Sequence, residues 1–307
     1  MKIITNLKQL TEKFRKPVVA IGIFDGVHLG HKKVLKMAAE KARRLSGTSI
    51  VVTFDPHPQR VLDTIGAPPL LVSTKHRLNL ISKEGMDVAC VLNFNEAVAG
   101  HAASEFVKKT LVKKLGAHTI VIGSDFRFGR SKKGDINLLR RLGKEFNFTV
   151  IGVPLLKIGP GPVSSTRIRA LIMSGKLKEA SGLLGRPVSI LGTVVKGNRR
   201  GRLLGYPTAN INPHHEAIPP SGVYAVYAMF EGRKYKGILN IGRRPTFLND
   251  GAEPTIETHI FGFGKSIYGK DIEVIFVKRL REEKRFPGKK ELVKQIRIDE
   301  RRAFVVL

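Results

Sequence analysis

One cysteine, Cys90, is all that this 307-residue chain contains. That excludes an intramolecular disulfide and a thiolate metal cluster, and fits a reducing compartment. Long apolar runs are missing too: none approaches the roughly 20 residues that a membrane helix needs. Met1 to Lys16 alternates apolar and polar residues without a continuous apolar stretch, so no signal peptide is expected. The reading is a cytoplasmic protein without a membrane partner. Acidic residues are scarce, 25 against 54 lysines and arginines, for a net charge of +29. Such an imbalance invites a nucleic-acid reading. Its distribution argues otherwise, because residues 1–185 carry +18 and residues 186–307 carry +11, with no basic arm or tail. A diffuse positive field also attracts ATP, pyrophosphate and phosphorylated cofactors. No Gly-x-x-x-x-Gly-Lys-Ser/Thr occurs, so a P-loop kinase is excluded.

What remains is ordinary for a soluble globular chain: 42% apolar and 26% charged residues. The length suits two domains. In the N-terminal half, Val18–Phe24 is a short apolar run of the kind a buried parallel strand needs. Residues 31–45 follow with Leu35, Ala38, Ala42 and Leu45 at helical spacing and Gly47 as a stop. Strands are expected again at Ser49–Phe54, Val88–Phe94, Thr119–Ser124 and Phe148–Pro154, with helices near 75–84, 103–115 and 135–146. Alternation of this kind gives a parallel sheet covered on both faces, with ligands outside the carboxyl ends of its strands.

Four polar segments fall at those ends: Asp25-Gly26-Val27-His28-Leu29-Gly30-His31, Asp55-Pro56-His57-Pro58, Asp125-Phe126-Arg127-Phe128-Gly129-Arg130, and Ser164-Ser165-Thr166-Arg167-Ile168-Arg169. In the first, His28 and His31 flank Gly30 at a helix entry. A histidine pair there is a surface pair, a metal site lacking its third and fourth ligands, or a donor pair for phosphoryl oxygens. Free N–H groups at the helix start and the company of three more strand-end loops favour phosphate. Asp125 reads as a helix cap, an arginine partner or an acceptor that positions a ligand. Ser164, Ser165 and Thr166 read as a helix cap, Arg167 and Arg169 as phosphate forks; both readings can hold together.

Past Lys176–Leu184, expected as a helix, Gly185-Arg186-Pro187 breaks the pattern. Short β-rich runs follow at Val188–Val195, around Asn210-Ile211, and at Gly222–Phe230, Tyr235–Ile241, Thr255–Phe261 and Asp271–Val277. Evenly spaced, they suggest a small antiparallel barrel, closed by a helix near 288–303. The boundary is placed at 185/186. The segment from Gly197 through Arg202 to Gly205 is a solvated hairpin loop or a phosphate cradle. Just after it, Thr208 and Asn210 of Pro207-Thr208-Ala209-Asn210 put two hard oxygen donors on one face of an extended chain, as Mg²⁺ accepts beside phosphates; an ordinary turn is the alternative. Strand alternation turns Glu257 away from Ile256, Thr258 and Ile260. There it is a surface carboxylate or a general base towards a hydroxyl.

The segments GIFDGVHLGH, TFDPHP, SDFRFGR with Gly134-Asp135, and SSTRIR resemble, in order and spacing, the bacterial bifunctional riboflavin kinase/FAD synthetase family. GTVVKGNRRGRLLGYPTANI, GVYAV, NIGRRPTF, IETHI, IYGKDIEVIF and LREEKRFPGKKELVKQIRIDERRA extend the resemblance over about residues 15 to 304. It implies a Rossmann-like nucleotidyltransferase domain over residues 1–185, with a parallel sheet. A riboflavin kinase barrel over 186–307 follows, with a C-terminal helix. It implies that His28 and His31 form the nucleotidyltransferase signature, with Gly22, Phe24, Asp25, Gly30, Asp125, Ser164, Ser165, Thr166 and Arg167 around ATP. In the kinase it implies that Gly197, Arg202, Gly205, Pro207, Thr208 and Asn210 bind ATP, that Thr208 and Asn210 hold Mg²⁺, and that Glu257 is the base. Substrates and products would be ATP, riboflavin, FMN and FAD, with no specific nucleic acid; a homo-oligomer stays open. Three places depart from the pattern: Tyr206 for the usual Phe, Phe261-Gly262-Phe263-Gly264 where an Asp-Phe pair is common, and Ile23 where Asn is frequent. The alternatives are a nucleotidyltransferase for another small phosphate ester and, in a different class, a basic RNA-binding protein.

Overall fold

The computed structural model describes every residue except 8–9, 64, 198–200, 202–203 and 244–253. The described residues pack as two compact units, Met1–Pro69 with Thr74–Ser165, and Leu70–Ser73 with Thr166–Leu307.

The first unit holds a six-stranded parallel sheet of β1 (Lys2–Ile4), β2 (Val18–Ile21), β3 (Ser49–Asp55), β4 (Val88–Asn93), β5 (Thr119–Gly123) and β6 (Thr149–Val153), in the order β1-β4-β3-β2-β5-β6. Its central strands are buried on both faces: Val18, Val19, Ala20, Ile50, Val51 and Val52 are fully out of water. That burial is why they read as continuous apolar runs rather than alternating ones. The connecting helices include α1 (Leu29–Arg44), the short α2 (Pro58–Leu62), α3 (Thr74–Ser82), α4 (Glu96–Gly100), α5 (Ala103–Phe106), which continues as π-helix over Val107–Lys114, and α6 (Ile136–Phe146).

The first long strand is shorter than expected. It stops at Ile21 because the chain turns through left-handed backbone at Phe24 (φ 55°), Gly26 (φ 82°) and Val27 (φ 41°). Left-handed backbone is costly for a bulky residue and persists only where packing holds it; Phe24 and Val27 are both buried.

After a small hairpin of β7 (Lys157–Ile158) and β8 (Gly161–Pro162) come α7 (Ser165–Met173) and α8 (Leu177–Leu184). Gly185, left-handed at φ 64°, ends α8 as glycine can without strain. The second unit is built on a closed antiparallel barrel: β9 (Ser189–Val195), β10 (Ala209–Pro213), β11 (Gly222–Phe230), β12 (Arg233–Arg243), β13 (Pro254–Ile260) and β14 (Asp271–Arg281), in the order β10-β13-β12-β11-β14-β9. Closure leaves no free sheet edge. The last helix, α9 (Lys289–Val306), packs against β11, β12 and β14. Asp299 on α9 is 1% exposed and receives Arg281 Nε at 2.9 and 3.1 Å, Arg281 Nη2 at 2.8 Å and Gln295 Nε2 at 2.9 Å. A buried carboxylate met by so many donors fixes how the helix seats on the barrel.

Candidate functional sites

The loop after β2 brings both histidines to the start of α1. His28 caps the helix with its own ring, Nδ1 accepting the His31 backbone N–H at 3.2 Å. That bond places the His28 proton on Nε2, leaving an N–H donor on the ring's other side. The rings of His28 and His31 stack at 3.6 Å, and the Phe24 ring meets His31 edge-on at 5.3 Å. Gly30 is needed here: a Cβ on it would lie 3.1 Å from the His28 ring. Gly22 lies similarly under Phe24, where a Cβ would come within 3.0 Å of the ring. Burial lowers the His28 pKa to about 4. His31 falls well below the usual imidazole range, first through burial, then through His28 and Arg77. Both are therefore neutral near pH 7, and the Nδ1 of His31 is sealed from water without a hydrogen-bond partner.

Asp25, 2% exposed, begins the same loop, and its carbonyl accepts the Ser165 hydroxyl at 2.9 Å. The first and fourth polar segments thus meet. Ser164 is half-buried; Thr166 (exposed) and Arg167 (half-buried) belong to the second compact unit. The second segment joins through a residue that the sequence did not single out. Arg77 on α3, 2% exposed, donates from Nη2 to Phe54 O at 2.7 Å and to Thr74 Oγ1 at 3.2 Å. Thr74 Oγ1 in turn donates to Asp55 Oδ1 at 2.8 Å. The third segment lies on the same sheet edge, but there Asp125 is exposed. Helix capping and arginine pairing belong to Asp135, which accepts Leu138 N at 2.9 Å and Arg127 Nη1 at 2.7 Å.

In the barrel, β13 carries Glu257 between two amides. Asn210 on β10 and Asn240 on β12 are its direct cross-strand partners, so the three side chains share one face. Ile256, Thr258 and Ile260 point the other way and are buried; Glu257 is half-buried. Strand alternation foresaw that Glu257 faces away from Ile256, Thr258 and Ile260, and the same period puts Asn240 on its face. Thr208 and Asn210 each lie against a glycine. A Cβ on Gly197 would come within 2.2 Å of Asn210 Nδ2, and one on Gly201 within 3.2 Å of Thr208 Oγ1 and 2.4 Å of the Tyr206 carbonyl. Gly205 is left-handed at φ 82°, and Tyr206 N bonds back to Gly201 O at 2.9 Å, curling the loop. Pro207 contributes its carbonyl to His259 Nδ1 at 2.8 Å, while the His259 and Tyr206 rings meet edge-on at 5.4 Å. Arg202 lies outside the described residues. Phe261 stacks on Phe304 of α9 at 4.7 Å, and Phe263 meets Tyr235 at 5.1 Å.

A glycine-lined loop beside a carboxylate lies in one unit, and a neutral histidine pair at a helix start lies in the other. The FAD synthetase family model matches residues 10–167 and the riboflavin kinase model matches 184–307. The chain belongs to the bifunctional riboflavin kinase/FMN adenylyltransferase family. Within it, the protein of Buchnera aphidicola subsp. Acyrthosiphon pisum is 39% identical over 97% of this chain and 96% of its own. That of Bacillus subtilis is 38% identical over 96% and 93%, and that of Escherichia coli 35% over 98% and 96%. A crystal structure from Streptococcus pneumoniae, named as a macrolide-efflux protein, superposes with a TM-score of 0.82 over 97% of each chain, at 34% identity. The efflux name is said of that protein alone; among the described residues here, no helix is long and apolar enough to cross a membrane.

Proposed function

We infer that the barrel transfers the γ-phosphoryl group of ATP to riboflavin, giving FMN and ADP, and that the parallel-sheet domain transfers AMP from a second ATP to FMN, giving FAD and pyrophosphate. The two matched family models, one on each architecture, carry this reading. We set the domains at 1–185 and 186–307. The start of the riboflavin kinase match at residue 184 and the left-handed Gly185 support that boundary, although α8 packs in the barrel's compact unit.

In the kinase reaction the riboflavin hydroxyl attacks the γ-phosphorus while its proton passes to Glu257, the half-buried carboxylate between Asn210 and Asn240. Thr208 and Asn210 fit Mg²⁺ bound with ATP: both carry hard oxygen donors, and both pack closely against glycines that a side chain would displace. When bound there, the ion would neutralise phosphate charge. Gly197, Gly205 and Pro207 would line the same cradle.

The adenylyl transfer needs no proton removed, since the FMN phosphate is already an anion. Its demand is donors for charge that develops on the α-phosphorus oxygens and on leaving pyrophosphate. The neutral His28 and His31 supply ring N–H donors at the start of α1, whose free backbone N–H groups add to them. Gly22, Phe24, Asp25, Gly30, Asp125, Ser164 and Ser165 complete the nucleotide site in this reading. A protein using cellular ATP in this way belongs in the cytoplasm.

The test is direct. Protein incubated with riboflavin, ATP and Mg²⁺ should yield FMN and then FAD, separated by chromatography. Neither flavin product would refute the assignment. FAD from supplied FMN without FMN from riboflavin would refute the kinase half only.

A further inference from the structure

His259 is used by neither reaction as described, yet it bonds directly to the chain that carries Thr208 and Asn210. It stands on β13 two residues beyond Glu257, on the same face of the strand, and is half-buried. β10 pairs with β13 at Ala209 opposite Thr258, Asn210 opposite Glu257 and Ile211 opposite Ile256. Before Ala209 that ladder stops, and Pro207 has no N–H with which to extend it. The His259 side chain takes over there: its Nδ1 lies 2.8 Å from the Pro207 carbonyl oxygen. A carbonyl only accepts, so Nδ1 carries the proton and donates it. The ring is aimed by its neighbours, Tyr206 edge-on at 5.4 Å and Phe261 tilted at 5.7 Å, with Phe261 itself stacked on Phe304 of α9 at 4.7 Å.

The bonded carbonyl belongs to the peptide group that leads into Thr208. Upstream, the loop curls on itself, Leu204 N and Tyr206 N both donating to Gly201 O at 3.0 and 2.9 Å. Downstream, Asn210 is held by its strand pairing with Glu257. His259 fixes the near side of Thr208, and does so from the strand that bears Glu257. Resting on the kinase reading above, we propose that His259 is a positioning residue of the kinase site: its Nδ1–H holds the Tyr206-Pro207 turn against β13, so that Thr208 meets ATP and Mg²⁺ already in place relative to Asn210 and Glu257. It does not touch the reacting atoms. Without the bond, the loop spends a smaller share of its time in the binding-competent position, and the apparent affinity for ATP falls by that share. Bound ATP restores the arrangement, so the loss belongs to binding and not to turnover.

Two variants of the full-length protein test this. His259→Phe keeps a flat ring between Tyr206 and Phe261 but has no donor; His259→Asn loses the ring but keeps an amide N–H near the place of Nδ1. In riboflavin phosphorylation, His259→Phe should raise the KM for ATP about 10-fold, as for a competent population cut to about a tenth, with kcat near that of the wild type. His259→Asn should return the KM towards the wild-type value. A fold merely weakened would lower kcat through the active fraction and leave the KM alone. A KM for ATP unchanged in His259→Phe, or raised equally in both variants, overturns the proposal. Hydrogen exchange at the Leu204 and Tyr206 amides, read without turnover, should be faster in His259→Phe and slow again in His259→Asn. A wild type that formed no FMN would refute the assigned reaction, while this comparison still decided the clamp. If His259→Phe does not fold, the nitrogen-NMR signals of the neutral His259 ring in the native protein decide: a proton on Nδ1 supports the proposal, and one on Nε2 overturns it.

Discussion

His28 reaches the folded state with its imidazole 5% exposed and its pKa lowered from 6.5 to about 4. In the unfolded chain it takes up a proton through pH 6.5; in the folded one it resists until about 4. The unfolded state binds more protons across that window, so stability is full above 6.5 and is lost as pH falls towards 4. The displacement corresponds to about 3 kcal/mol for His28 alone, and His31 adds to it in the same direction. Thermal unfolding followed between pH 7 and 4 should show the midpoint falling in this window. His28→Gln should flatten the slope, and an unchanged slope would detach the histidines from acid lability. Glu257 is the second residue on which the account leans. Glu257→Gln keeps size and hydrogen bonding but cannot accept the hydroxyl proton, so FMN formation should fall about 10²–10⁴-fold. FAD formation from supplied FMN should continue; a normal kinase rate would return Glu257 to a plain surface carboxylate. The histidines and Glu257 were legible in the sequence because spacing and alternation expose them. Arg77 was not: a lone arginine in Thr74–Ser82 reads like any solvated helix cation, and only the fold buries it against the Phe54 carbonyl and the Thr74 hydroxyl.

Elements were legible wherever burial imposed a period. The central strands of the parallel sheet are apolar on both faces, and the barrel strand Gly222–Phe230 lies where its composition put it. What failed to show were short pieces held by tertiary contact. One is β1, a three-residue edge strand pairing only with β4; others are α2, α4 and the hairpin of β7 and β8. The early end of β2 was equally hidden, because strain at Phe24 and Val27 is set by packing and not by propensity. At this scale the Gly197–Asn210 contact makes a sharp prediction. Gly197→Ala would place a methyl 2.2 Å from the Asn210 amide, forcing that side chain out of its place. A displacement of this order costs about 10²-fold when it moves a ligand of the reacting group. Initial rates should show FMN formation down by roughly that factor, and FAD formation from FMN untouched. An unaffected kinase would mean that Asn210 is not part of the ATP site.

Over the whole molecule, the positive charge is distributed much as the residues are, and the residues proposed for the two reactions are two sets with no side chain in common. Each site has its own scaffold: a parallel sheet whose strand ends gather loops, and a barrel whose alternate face carries Asn210, Glu257 and Asn240. The central claim is that one chain runs two successive reactions in two separable sites. Full-length His31→Ala protein tests it most directly, given riboflavin, ATP and Mg²⁺, with flavins separated over time. Loss of one such donor costs roughly 10²–10³-fold. The account predicts that FMN accumulates at the wild-type rate while FAD formation drops by that factor. Equal loss of FMN and FAD formation, or undiminished FAD, would contradict it.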